Sequence, residues 1–327
     1  MHRWTDLSQV PAGTGPSVVT IGNFDGVHRG HRSVLSAMVA DARAIDGTAV
    51  AVTFDPHPAT VHRPSSAPPL LTGLADRLEL LAETGLDAVL VVRYSLDFAR
   101  TTPEDFVVRY LVEPLGARIV VVGRDVRFGQ DNRGDLTTMV ALGQAHGFDV
   151  QVVEDVHSAP QGTVARRWSS TWARELLAAG DVRGASEILG RAHRMRGVVV
   201  HGDARGRALG FPTANLGPDA DGMVPADGVY AGWLTVRARH GAPDEARDEP
   251  GAHYPVAISV GTNPTFDGDR RRVEAHVLDR TDLDLYGDEV MVEFVDLLRP
   301  TVRFTSVDEL VVQMARDVAD TRVRLRL

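Results

Sequence analysis

Through the first half of the chain, short apolar runs alternate with amphipathic stretches. "SVVTIGNF" (17–24) is followed by "HRSVLSAMVADARA" (31–44), and "TAVAVTFD" (48–55) by "LADRLELLAETG" (74–85). "DAVLVVRY" (87–94) precedes a helical pattern near "TPEDFVVRYLV" (102–112), and "RIVVVGRD" (118–125) precedes "LTTMVALGQAHG" (136–147). Strands that are apolar throughout, spaced by helices, predict a parallel sheet covered on both faces. Right-handed crossovers bring the loops that follow the strands to one edge of such a sheet.

After about residue 190 the rhythm changes. "RGVVVHG", "DGVYAGWLTVRAR", "YPVAISVG", "RVEAHVLD" and "DEVMVEFVDLL" follow one another with turns but no helices, and "SVDELVVQMARDVADTRVRL" (306–325) closes the chain as a helix. This predicts an antiparallel barrel or sandwich. The acidic "HGAPDEARDEPGAH" (240–253) reads as a long hairpin loop, and "RRR" (270–272) as a solvated one. The expectation is two domains, 1–186 and 187–327.

Composition narrows the chemistry. The 327 residues include no cysteine, which removes thiolate nucleophiles, disulfides and thiolate-bound zinc. All 35 basic side chains are arginine, so a P-loop lysine and Schiff-base chemistry are absent as well. A net charge of −9 argues against a nucleic-acid partner. No apolar run approaches a membrane span and no signal-peptide pattern opens the chain, which reads as cytoplasmic. Whether it forms a homo-oligomer is left open.

The turn "GNFDGVHRGH" (22–31) joins a strand to a helix. Its glycines, among them Gly22 and Gly30, admit a ligand close to the backbone, and the helix start offers N–H groups and a positive dipole end to a phosphate. His28 and His31 add donors for a developing negative charge. Phe24 and Asp25 fall in the same turn. His-x-Gly-His after a strand resembles the signature of the nucleotidylyltransferase superfamily. "RWSSTWARELLAAGDV" is similar to that superfamily's second signature, with Arg167, Ser169, Ser170, Thr171 and Arg174 at a helix start. Hydroxyls and an arginine fork there suit a triphosphate.

In the second half "GRALGFPTANL" (206–216) stands out. Pro212 biases its neighbour toward extended backbone, and in a strand Thr213 and Asn215 point the same way, as hard oxygen ligands suited to Mg²⁺. In "VEAHVLD" alternation sets Glu274 and His276 opposite Val273, Ala275 and Val277, and a mid-strand carboxylate facing a barrel interior would need a reason.

These motifs, with "GVVVHGDARGR", "GVYAG" and "SVGTNPTF", resemble the riboflavin kinase family over residues 187–327. Together the two halves resemble the bacterial bifunctional riboflavin kinase/FAD synthetase family. The resemblance implies an α/β fold: a Rossmann-like nucleotidylyltransferase domain with a parallel sheet, then an antiparallel β-barrel kinase domain with a C-terminal helix. It implies that riboflavin is phosphorylated to FMN and FMN adenylylated to FAD, each with ATP and Mg²⁺, on small-molecule substrates alone. Glu274 matches the general base, Thr213 and Asn215 the Mg²⁺/nucleotide ligands, and Gly202 and Arg207 a glycine-bearing flap over ATP. Gly210 and Pro212 fall in the same nucleotide and flavin region, and Arg299 in a flavin-side loop. His28, His31, Arg167, Ser169, Ser170, Thr171 and Arg174 match adenylyl-transfer positions, while Asp125 and Asp135 fall near the nucleotide. Members often carry arginine directly after the SST triplet, where this chain has Trp172. That departure keeps open a kinase with an impaired adenylyl half, and a non-catalytic flavin-binding regulator is the alternative from another class.

Overall fold

The computed structural model describes residues 1–153, 157–158 (backbone only), 166–202, 206, 209–239, 250–262 and 271–327. They fall into two compact units, Met1–Pro68 with Leu74–Ser169, and Pro69–Gly73 with Ser170–Leu327. Arg207, "DAR" (203–205), residues 240–249 of the acidic loop and "NPTF" (263–266) lie outside the described residues.

The first unit is built from β1 (His2–Trp4), β2 (Ser17–Ile21), α1 (Arg29–Ala44), β3 (Thr48–Asp55), α2 (Pro58–His62) and α3 (Leu74–Ala82). They are followed by β4 (Ala88–Arg93), α4 (Pro103–Val107), β5 (Ala117–Gly123), α5 (Leu136–His146), β6 (Asp149–Val153), and the short pair β7 (His157–Ser158) and β8 (Arg166–Arg167). Six strands form one parallel sheet in the order β1-β4-β3-β2-β5-β6. Alternate residues of each strand enter two separate cores: Val19, Val50 and Leu90 pack on one face with Phe106, and Val18, Ala49 and Val89 on the other with Leu35 and Met38. Burial on both faces is why the strands read as unbroken apolar runs. From β2 the chain winds one way through β3 and β4, then restarts on the other side of β2 with β5. Ligands of such sheets bind at the strand carboxyl ends, where the winding reverses. Here that edge carries the turn after β2 and the segment after β5.

The second unit contains α6 (Ser170–Ala178), α7 (Val182–Leu189), β9 (His193–Val200), β10 (Thr213–Leu216), β11 (Gly228–Ala238), β12 (His253–Thr262), β13 (Arg271–Val277), β14 (Glu289–Pro300) and α8 (Val307–Leu325). The strands close into an antiparallel barrel in the order β10-β13-β12-β11-β14-β9. Helix α8 packs outside it on β11, β12 and β14. Its start is fixed by the Ser306 hydroxyl, which accepts from the Glu309 amide at 3.2 Å, while Glu309 accepts in turn from the Thr305 amide at 3.1 Å.

Three local expectations are corrected. Arg271 and Arg272 open β13 rather than a solvated loop, and Arg271 Nε donates to Asp227 at 2.7 Å. Arg299 sits near the end of strand β14, not in a loop. The interior of the barrel takes Val273, Ala275 and Val277, none more than 5% exposed, so Glu274 faces outward toward α8. A closed barrel covered by a helix has two buried faces, and alternation alone does not say which is inside.

Candidate active sites

In the first unit, His28 is the N-cap of α1, its Nδ1 accepting from the His31 amide at 3.3 Å. An accepting Nδ1 leaves the proton of the neutral ring on Nε2, a donor. The His31 ring stacks on that of His28, 3.6 Å between centroids, and meets Phe24 edge-on at 5.3 Å. Burial first, then the neighbouring His28 and Arg167, hold His31 well below the ordinary histidine pKa, so it is neutral at pH 7. Its Nδ1 is buried with no hydrogen-bond partner among the described residues.

The turn is tight and strained. A side chain at Gly22 would stand 2.9 Å from the Phe24 ring. Phe24 and Val27 adopt φ of 48° and 37°, which costs non-glycine residues about 1–3 kcal/mol each and persists where the surroundings over-determine it. Asp25, within the turn, is buried.

The segment ahead of α6 reaches this turn within the same unit. The Arg29 guanidinium lies 5.7 Å over the Trp168 ring, and a side chain at Gly30 would meet the His28 ring at 3.1 Å and the Trp168 carbonyl at 3.5 Å. Arg167 Nη1 donates to Asp125 at 2.8 Å, a bond that lowers the Asp125 pKa and joins two positions picked separately from sequence. Asp135 instead caps α5, accepting from the Thr138 amide at 2.9 Å. Ser169 ends the first unit. Ser170, Thr171, Trp172 and Arg174 lie on α6 of the second, where Arg174 Nε donates to the Pro69 carbonyl at 2.8 Å.

Sequence reasoning missed the aromatic cavity at the same sheet edge. It has a volume of about 180 Å³ and is walled by Asn23, Phe54, Tyr94, Phe98, Phe106 and Phe128. Phe54 meets Tyr94 at 5.7 Å and Phe98 at 5.9 Å, and Tyr94 receives a 2.8 Å hydrogen bond at its hydroxyl from, or gives one to, His62 Nε2. The signal was available: Phe54, Tyr94 and Phe128 each end or follow a predicted strand.

In the second unit, Thr213 and Asn215 of β10 share a face, with Asn215 Nδ2 3.3 Å from Thr213 Oγ1. The antiparallel register sets Thr213 opposite His276 and Asn215 opposite Glu274 of β13. Thr213 Oγ1 donates to Glu274 Oε2 at 3.4 Å, and His276 Nδ1 lies 2.8 Å from the Pro212 carbonyl. A side chain at Gly202 would come within 2.6 Å of the Asn215 amide, so only glycine lets the β9 end pass there. Gly210, at φ 86°, sets the turn into Pro212.

Glu274, Thr213 and His276 line a cavity of about 270 Å³ against α8, with Phe211 and the helix residues Leu310, Met314 and Val318. Arg299 stands in its wall, gripped in a fork by buried Asp317 of α8 at 2.8 and 2.7 Å. Gln313 donates to the same carboxylate at 2.9 Å. Asp317 gave no sequence signal, because its partner lies on another element 18 residues away.

A family model described as FAD synthetase matches residues 11–166, and one described as riboflavin kinase matches 189–325. The bifunctional riboflavin kinase/FMN adenylyltransferase of Escherichia coli K12 is 38% identical over 317 residues, 97% of this chain and 95% of that protein. The chain belongs to the bifunctional riboflavin kinase/FMN adenylyltransferase family. The member from Listeria monocytogenes is 33% identical over 98% of this chain and 93% of its own. A solved structure from Streptococcus pneumoniae, described as a macrolide-efflux protein, has a TM-score of 0.82 at 31% identity and covers 98% of both chains. That description speaks of efflux, yet among the described residues of the present family member no helix is long and apolar enough to cross a membrane.

Proposed function

We propose that this chain makes FMN and then FAD: riboflavin plus ATP gives FMN plus ADP in the barrel (187–327), and FMN plus a second ATP gives FAD plus pyrophosphate at the parallel sheet (1–186). The observation that carries the reading is the meeting of Thr213 and Glu274, from two paired strands, in the wall of one cavity, with Asn215 beside Thr213 on the same strand face.

In the kinase step Glu274 takes the proton of the riboflavin 5′-hydroxyl, whose oxygen attacks the γ-phosphorus as the bond to the ADP oxygen breaks. The apolar face of α8 gives the flavin ring its wall. Among the described residues no cluster of three His, Asp or Glu side chains forms a cage for a metal. Mg²⁺ held mainly by ATP phosphates needs only one or two protein oxygens; the Thr213 hydroxyl fits that demand, and Asn215, whose Nδ2 turns toward Thr213, would add its oxygen after a flip of the amide. When bound it neutralises phosphate charge.

In the adenylyl step the FMN phosphate, with a second pKa of about 6, is a dianion that attacks the α-phosphorus of ATP without a protein base. The His28 N–H and the α1 N-terminus stabilise the charge that develops as pyrophosphate leaves. The aromatic cavity suits the planar flavin ring of FMN. Arg167, Ser169, Ser170, Thr171 and Arg174 are assigned to the triphosphate on the family resemblance alone. The substrates are small molecules, and the reading places the enzyme in the cytoplasm.

The test is chromatographic separation of riboflavin, FMN and FAD after incubation with riboflavin, ATP and Mg²⁺. FAD accumulating through FMN is expected. Supplied FMN that is never adenylylated sinks the first-unit assignment, and unreacted riboflavin sinks the second.

A further inference from the structure

Arg77 of α3 is a charged side chain that neither proposed reaction uses, and it is 1% exposed. Its Nη1 donates to the Asn23 carbonyl at 3.0 Å and its Nη2 to the Phe54 carbonyl at 3.1 Å, with Asp55 at 3.6 Å. Its Nε has no hydrogen-bond partner among the described residues. Burial lowers its pKa, opposed by the charges of Asp25 and Asp55.

The two carbonyls belong to different ligand surfaces. Asn23 immediately precedes the strained Phe24, whose ring abuts His31 in the phosphate-type turn. Phe54 is a wall of the aromatic cavity, and Asn23 lines that cavity as well. Neighbouring parallel strands end with carbonyls pointing the same way, and a rigid, planar fork of donors spans two of them where an ammonium serves one. A buried guanidinium is costly to desolvate, so it is kept where its hydrogen bonds are met, as they are here by two carbonyls.

We infer that Arg77 is a positioning residue for adenylyl transfer, holding the nucleotide turn and the flavin wall in register so that the FMN phosphate meets the α-phosphorus of ATP in line. The inference rests on the reading of the first unit as an FMN adenylyltransferase. A misplacement of about 1 Å between reacting groups costs on the order of 100-fold in rate.

The experiment compares wild type, Arg77→Met and Arg77→Lys in the full chain, measuring FMN adenylylation (kcat and KM), thermal midpoint and riboflavin kinase activity. For Arg77→Met the expected result is a kcat about 100-fold lower, with KM for FMN and for ATP each within about threefold of wild type. Its thermal midpoint falls by several degrees, because two buried carbonyls lose their donor, while at an assay temperature well below that midpoint kinase activity is unchanged. Arg77→Lys recovers roughly a tenth of the wild-type kcat, because it serves one carbonyl of the two. Wild-type kcat in Arg77→Met overturns the inference, as does a kcat loss that kinase activity shares. If Arg77→Met does not fold, Arg77→Lys decides alone, and wild-type kcat there overturns the inference. A wild-type chain that never converts FMN to FAD overturns the underlying reading instead, and the two failures are distinct.

Discussion

Glu274 and Thr213 stand on neighbouring antiparallel strands with 3.4 Å between carboxylate and hydroxyl, on the face of β13 turned away from the apolar barrel interior. Glu274→Gln preserves shape and removes the base. Riboflavin phosphorylation is expected to fall by about 10²–10⁴-fold, while conversion of supplied FMN to FAD continues at the wild-type rate. Separate assays of the two steps check this, and loss of both in a folded variant would argue against independent sites.

The His28 ring both caps α1 and stacks on His31, so a substitution there mixes stability with chemistry. His28→Ala is expected to lower stability by about 1 kcal/mol and adenylylation by at least about 100-fold. His28→Asn restores a good cap without the imidazole. It is expected to match the wild-type thermal midpoint yet lose on the order of 100-fold in adenylylation, as does His31→Ala. Recovery of adenylylation by the asparagine would show that His28 acts through the helix start alone.

Asp317 grips Arg299 with both carboxylate oxygens and ties α8 to the end of β14. Asp317→Asn keeps one acceptor and leaves the half-buried guanidinium short of its partner charge. The expected loss is about 2 kcal/mol of unfolding free energy. Because α8 forms a wall of the cavity, KM for riboflavin is expected to rise about tenfold, with KM for supplied FMN in the adenylyl step unchanged. Denaturant titration and initial-rate kinetics check both.

The parallel sheet was legible because burial on both faces writes a continuous apolar run into each strand, and the barrel because its strands alternate between turns. Strand β1, three residues long, carries too little pattern to be read, although it pairs with β4. Motifs local in sequence, such as the turn at 22–31 and Thr213 with Asn215, could be picked out, and the shared face of the latter pair is seen directly. What escaped is long-range: Arg77 reaches carbonyls 54 and 23 residues away, and the aromatic cavity gathers Phe54, Phe106 and Phe128 from separate strand and helix ends. Their convergence is a property of strand order, which no single segment encodes.

His193 supplies a pH prediction independent of either reaction. It is 1% exposed in the barrel, its Nε2 2.6 Å from the Met223 carbonyl and its ring stacked on Phe294 at 5.9 Å. Burial pushes its pKa from 6.5 down to about 4, with the Met223 carbonyl working in the opposite direction. Between those two values the unfolded chain binds a proton that the folded chain refuses, so stability falls with falling pH. The contribution is whole above pH 6.5 and is lost as pH drops toward about 4, amounting to roughly 3 kcal/mol when complete. His193→Gln keeps a donor for the Met223 carbonyl and cannot titrate. Denaturant unfolding at neutral pH and again at about pH 4.5 should therefore show wild type losing about 2–3 kcal/mol more than the variant. Equal losses in the two proteins would mean that the ring gains a proton in the folded barrel as readily as in the unfolded chain.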